Sequence, residues 1–254
     1  MIVNSAMSDS QWLRGRKTWL IGAGLDIVSD LARGLDDLGS AIAILSDNAE
    51  TLAAAPVDAQ TSSASFVSQT LADAAVADLK RLAGEPDLLV MGIVPREAAE
   101  LSPITALSAG QWRAQSSAGV RTLLYLLRAL GPHIKDRGVA VVLVGPSLSL
   151  VGCPDLVALT TLLEGQRGLM KSVARQWGAH GVTLNWIALA PRTLSQAFGA
   201  APLAAKPDTV SLALGRAPDL RREIAPVISF LGSPAGRVMT GATLTLDGGE
   251  WMVP

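Results

Sequence analysis

The chain has 254 residues, 49% of them apolar, and a formal net charge of −1. That length commonly builds one large core, and that composition excludes a disordered chain. The near-zero charge leaves no electrostatic footprint for nucleic acid or for an anionic membrane surface.

The single cysteine, Cys153, excludes an internal disulfide and fits a reducing compartment. The first residues hold no apolar core of signal-peptide length, and no apolar run approaches ~20 residues. A soluble cytoplasmic protein is therefore expected. Residues 1–14 are polar and are expected to form a flexible extension ahead of a single domain over 15–254.

A first strand is expected over 17–21. Leu25, Val28, Leu31, Leu35 and Leu38 recur at helical spacing and stop at Gly39, predicting a helix over 25–38. Residues 41–45 read as a second strand, and Asp47 or Asn48 as the cap of a short helix through Ala54. The stretch 56–65 is rich in Pro, Ser, Thr and Ala and reads as loop, with a weak third strand near 65–68. A helix over 71–82 stops at Gly84-Glu85-Pro86, a buried strand fills 87–94, and a long helix over 109–130 stops at Gly131-Pro132.

The most informative stretch is 139–192. A β-branched run is followed by a loop with Pro146, Gly152 and Pro154, a helical stretch over 155–178, and a second apolar run over 182–190. This is a βαβ unit, and buried parallel strands read as continuous apolar runs. Residues 192–219 have little pattern, 220–231 read as helix, and 242–246 as a last strand before Asp247-Gly248-Gly249. Strands alternate with helices throughout, which predicts a doubly wound parallel sheet in a three-layer α/β/α arrangement.

The passage GLMKSVARQWGAHGVTLNWIA resembles the helix-to-strand segment of the short-chain dehydrogenase/reductases. Gly168, Leu169, Ala174, Gly181, Val182 and Asn185 match that family's pattern, with Gln176 where Glu is usual. The C-terminal Met239-Thr240-Gly241-Ala242 and Asp247-Gly248-Gly249 also resemble it, and the likeness extends from about Gly15 to Trp251. The resemblance implies a Rossmann-like fold with a Ser-Tyr-Lys site. Counting back from Asn185 without insertion, Leu159 falls at the Tyr, Leu163 at the Lys and Pro146 at the Ser. None of these side chains carries a titratable proton or a polar donor. The family's Asn of the proton relay, placed relative to Trp112, falls on Gly119.

The nucleotide end is altered as well. The first strand-to-helix turn of the family carries glycines that let backbone approach a pyrophosphate at a helix N-terminus. Here the turn reads Ile21-Gly22-Ala23-Gly24-Leu25-Asp26-Ile27-Val28, with Asp26 and Val28 in place of the second and third glycines. A carboxylate there favours the helix dipole and repels a phosphate. Ser46, beside Asp47, stands where an acid usually meets the adenosine ribose, and Met91-Gly92-Ile93-Val94 lacks the family's side-chain amides.

No catalytic, cofactor-binding or metal-ligating residue is therefore expected, and no cofactor in this chain. The resemblance implies instead a non-catalytic subunit beside an active, homologous partner that holds NAD(P), possible substrates including an acyl-CoA. The contact is expected through helices 109–130 and 155–178, with Trp177 and Trp251 as interface anchors. Two alternatives remain: an active NAD(P)-dependent oxidoreductase with non-standard residues, and a dinucleotide or ligand sensor on a dead reductase fold. Tyr125, Cys153, His133, His180 and Ser147 each read better as packing, loop or helix-end residues than as catalytic groups.

Overall fold

The computed structural model describes residues 12–194 and 212–252. Seven parallel strands form one sheet: β1 (Lys17–Gly24), β2 (Ala41–Ser46), β3 (Gln60–Ser63), β4 (Leu88–Val94), β5 (Ala140–Pro146), β6 (Thr183–Leu189) and β7 (Thr243–Leu246). Their spatial order is β3-β2-β1-β4-β5-β6-β7. The order reverses between β1 and β4, the switch point at which doubly wound sheets open a crevice at their carboxyl ends. The expected three-layer fold is the one observed.

Helices α1 (Ser29–Asp37) and α7 (Ala225–Gly232) pack together on one face of the sheet. Helices α3 (Gln69–Ala83), α5 (Ala118–Ile134) and α6 (Val157–Trp177) pack side by side. The short α2 (Ala49–Ala53) and α4 (Ala109–Trp112) lie at the carboxyl edge, α2 capped by the Asn48 side chain as its sequence suggests. Strands β4, β5 and β6 are buried along their whole length, as their unbroken apolar runs require.

Four expectations need correction. Trp12 and Leu13, expected in the flexible extension, are packed: Leu13 is fully buried, and the Trp12 ring rests against Gly232, where a Cβ would come within 2.5 Å of it. The Arg16 guanidinium lies 4.8 Å from the Trp12 ring centroid and donates to the Trp12 carbonyl. Residues 1–11 lie outside the described chain.

The third strand is Gln60–Ser63, not 65–68. It is a polar edge strand, so it has no apolar alternation to reveal it, and Phe66 is buried from the following loop. The first helix begins at Ser29, because Leu25 and Ile27 are buried within the preceding turn. Helix α5 runs through Pro132 to Ile134. The carbonyl that Pro132 leaves without an amide belongs to Arg128, on the solvent side of the helix, while buried Ile134 holds the final turn to the core.

The patternless stretch after Arg192 falls largely outside the described residues. Among those described, no helix is long and apolar enough to cross a membrane.

Candidate functional site

The crevice at the switch point is built from the ends of β1, β2 and β4. Gly24 ends β1 with φ +85°, and a Cβ there would stand 2.1 Å from the Val94 carbonyl oxygen. Only glycine permits this approach of β1 to β4, which the Leu25 amide seals by donating to Val94 O at 2.8 Å. Asp47 accepts from the Gly24 amide at 2.8 Å, and the Asn48 side chain donates to the Gly24 carbonyl at 3.0 Å. Ser46 is fully buried and turns its hydroxyl to the Asn48 amide.

The turn into α1 is closed by its own side chains. Asp26 Oδ1 accepts from the amides of Val28 (3.2 Å) and Ser29 (3.1 Å). The Ser29 hydroxyl donates to Asp26 Oδ2 at 2.5 Å. These are the orphan amides of a helix start, which a carboxylate also favours through the dipole.

Val28 fills the space beneath. Gly22 and Gly92 face each other across β1 and β4. A Cβ on Gly22 would stand 3.0 Å from Val28 Cγ2, and one on Gly92 would stand 3.2 Å from Val28 Cγ1. The two facing glycines are therefore covered by an isopropyl group of the same chain.

What remains open is a cleft of about 520 Å3, lined by Gly24, Asp47, Asn48, Pro95, Arg96 and Thr122 among others. Arg96 pairs with Glu50 at 3.2 Å at this cleft.

The other half of the site is filled with hydrocarbon. Leu159 and Leu163 are completely buried. Leu163 Cδ2 packs over Gly145 of β5, 3.2 Å from where a Cβ would be. Pro146 closes β5, and Gly119 opens the first turn of α5 directly after a π-helical turn, Arg113–Ser117. A Cβ on Gly119 would stand 2.5 Å from Leu162 Cδ1 and 3.0 Å from Pro95 Cδ.

One residue here was not anticipated. Gln166, 1% exposed, donates from Nε2 to the carbonyls of Ile93 (3.0 Å) and Gly119 (3.2 Å), tying β4 to α5. The available signal was a single uncharged polar residue on the stripe that Leu159, Leu162, Leu163 and Met170 mark as buried.

Polar groups persist after β5 and around β7. Ser147 is fully buried, and its hydroxyl has no hydrogen-bond partner, nor has that of Thr193. Burial pushes the Glu250 carboxyl up, Asp247 adds to the effect and Arg192 opposes it. The Asp247 carboxylate receives the amides of Gly249 (2.9 Å), Glu250 (3.2 Å) and Trp251 (3.0 Å). Asn185, buried on β6, donates to Met239 O at 2.8 Å and accepts from the Ala242 amide at 3.1 Å, which fixes the lead into β7.

The remaining candidates take structural places. Tyr125 is half-buried on α5, His133 lies 3.7 Å from Glu85, and His180 is exposed. Cys153 is half-buried in the loop before α6. Among the described residues no group of three or more His, Cys, Asp or Glu could hold a metal ion.

A family model described as enoyl-(acyl carrier protein) reductase matches residues 27–250. The chain belongs to the short-chain dehydrogenase/reductase family. Within the family it is 26% identical over 251 residues to a gluconate 5-dehydrogenase of Gluconobacter oxydans, covering 93% of this chain and 95% of that one. It is 28% identical over 190 residues to the short-chain dehydrogenase/reductase eriH of Hericium erinaceus, 72% of each chain. A 3-ketoacyl-(acyl-carrier-protein) reductase from Brucella melitensis, solved with NADH, superposes with a TM-score of 0.78 at 20% identity, covering 94% of this chain and 99% of that one. At that identity the superposition establishes the fold alone. The likeness to the family extends along the sheet and its helices, while Gly119, Pro146, Leu159 and Leu163 hold no proton-transfer group.

Proposed function

We propose that this chain is a non-catalytic member of its family that supports an active, homologous NAD(P)-dependent dehydrogenase or reductase in a cytoplasmic hetero-oligomer, the partner acting on a substrate of the acyl-CoA type. The observation that carries this reading is the hydrocarbon packing of the proton-relay region. Leu159 and Leu163 are buried, and Leu162 and Pro95 occupy the room a side chain at Gly119 would need. General acid–base transfer to a carbonyl needs a group that holds a proton within hydrogen-bond reach. No such group stands at these positions.

The nucleotide end gives a concordant argument. A pyrophosphate at the start of α1 would need the amides of Val28 and Ser29, which Asp26 already occupies, and would meet its carboxylate. Val28 covers the facing glycines where backbone would otherwise be open. These residues do not fit a dinucleotide at the start of α1.

A partner would meet the outer faces of α5 and α6, which expose Arg121, Leu124 and Arg128 together with Thr161, Gly165, Gly168 and Ser172. Trp177 and Met170 do not belong to that surface. Met170 is fully buried, and the Trp177 ring packs on Gly131 of α5 in the same chain.

A second reading, an oxidoreductase or ligand sensor with non-standard groups, is favoured by one observation: the buried, unpartnered hydroxyl of Ser147 beside Pro146. Calorimetric titration of the purified chain with NADH and NADPH separates the two. The non-catalytic reading expects no saturable heat at micromolar concentrations and no ketone turnover. Micromolar affinity for either dinucleotide would overturn it in favour of the second.

A further inference from the structure

The turn after β7 holds two carboxyl groups, and they are held in opposite ways. Asp247 is 2% exposed, and its carboxylate receives the amides of Gly249, Glu250 and Trp251. Such a set of donors favours the ionised form. Glu250 is 3% exposed, yet its Oε2 is buried with no hydrogen-bond partner. Among the described residues the charged groups that act on Glu250 are Asp247, of like charge, and Arg192, in the turn after β6. A buried carboxylate with an orphaned oxygen beside a second carboxylate is far costlier than the neutral acid. The folded turn therefore takes Glu250 in its protonated form, with burial the main cause.

The same turn is an anchor. Gly248 and Gly249 adopt φ of +72° and +76°, which folds the chain back on itself. The Leu214 amide donates to Gly248 O at 3.0 Å, and a Cβ on Gly249 would stand 2.7 Å from Ala213 Cβ. Leu212 is buried at the head of this stretch. Residues 212–216 are thus docked on the backbone of the turn that carries Glu250. Turn and stretch together wall a cleft of about 400 Å3, which Ile224 and Val227 also line.

We propose that Glu250 is a proton-operated latch: protonated, it keeps the turn after β7 closed with residues 212–216 docked on it, and on losing its proton it opens the turn and releases that stretch. The proton goes to solvent, and the carboxylate follows it to water because the closed turn offers its free oxygen no donor. The sign is fixed by the direction of the shift. A carboxyl raised above its ordinary value favours the closed turn at low pH, and that contribution is lost as pH rises through the folded value. The latch is independent of the subunit reading above, since it involves neither the crevice at β1 and β4 nor a partner.

Hydrogen exchange of the full-length protein tests it, read in the segments 212–216 and 247–252 and corrected for intrinsic exchange. Above the ordinary carboxyl value of 4.5, wild-type protection of both segments is expected to fall by about tenfold per pH unit, until Glu250 ionises in the closed turn as well. Strands β4 and β5 should keep their protection over the same range. Glu250→Gln retains the shape without the acid, so its protection should stay flat. Arg192→Gln removes the cation that favours the ionised form and should carry the fall to higher pH, a displacement that a merely structural contact would not produce. If Glu250→Gln does not fold, the wild-type and Arg192→Gln titrations decide. Wild-type protection that is flat with pH, or that falls equally in Glu250→Gln, overturns the latch. Dinucleotide titration reports on the non-catalytic reading alone, so the two can fail separately.

Discussion

Leu162 Cδ1 stands 2.5 Å from the position a Cβ on Gly119 would take, and Pro95 closes the other side. The Leu162 side chain and the Pro95 ring therefore occupy the space that a side chain at position 119 would enter. Restoring that side chain meets packed hydrocarbon. Gly119→Asn is expected to destabilise the fold by about 1–3 kcal/mol through overpacking. Urea denaturation of the variant measures this, and an unchanged midpoint would mean that the region is open after all.

Rebuilding the acid and its lysine should fail for a related reason. Leu159→Tyr with Leu163→Lys places a phenol and an ammonium where both leucines are completely buried. An ammonium without a partner in such a place costs several kcal/mol. The double variant is expected to unfold at lower denaturant and to show no NAD(P)H-dependent reduction of a ketone. Steady turnover by this variant would demonstrate that the scaffold still positions a dinucleotide.

Placing a charge on the inner side of α6 should act on the fold itself. Met170→Glu buries a carboxylate in the core of this chain and is expected to unfold it, by about 3 kcal/mol or more. Far-UV circular dichroism decides the matter. A folded but dissociated Met170→Glu would place this residue at a subunit contact instead.

Stability should also fall in acid through a pair far from the crevice. The Arg216 guanidinium binds Glu223 at 2.6 Å and 2.7 Å and, with the Asp219 amide, holds its carboxyl down to about 2 from an ordinary 4.5. A lowered carboxylate stabilises the folded state fully above 4.5 and loses that contribution as pH falls through about 2. Wild type should exceed Glu223→Gln in denaturation midpoint at pH 6, and the two should converge near pH 2. Equal midpoints at pH 6 would mean that the pair contributes nothing, as many exposed pairs do.

Much of the fold could be read from the chain because buried parallel strands are unbroken apolar runs, and residues 87–94, 139–144 and 182–190 are of that kind. Gln60–Ser63 could not be, since a polar edge strand is stabilised by its ladder to β2 rather than by burial. Trp12 and Leu13 are hidden among polar neighbours in the sequence, yet one rests on Gly232 and the other is fully buried. Pro146, Leu159 and Leu163 are singled out by counting back along one βαβ unit. Their surroundings are not. The many apolar residues of α6 suggested a face turned to a neighbour, whereas Leu156, Leu159, Leu162, Leu163 and Met170 all lie inside this chain. Apolar periodicity reports that a face is covered and does not identify what covers it.

Asp26 has a consequence for when the protein is stable. A helix start that depends on a bound ligand is reinforced only to the extent that the ligand is abundant, by an amount that grows with the logarithm of its concentration. The carboxylate at the start of α1 is part of the chain and is delivered by the turn that needs it. Its occupancy is set by covalent geometry, so the reinforcement that Asp26 gives this helix start does not vary with the concentration of any solute.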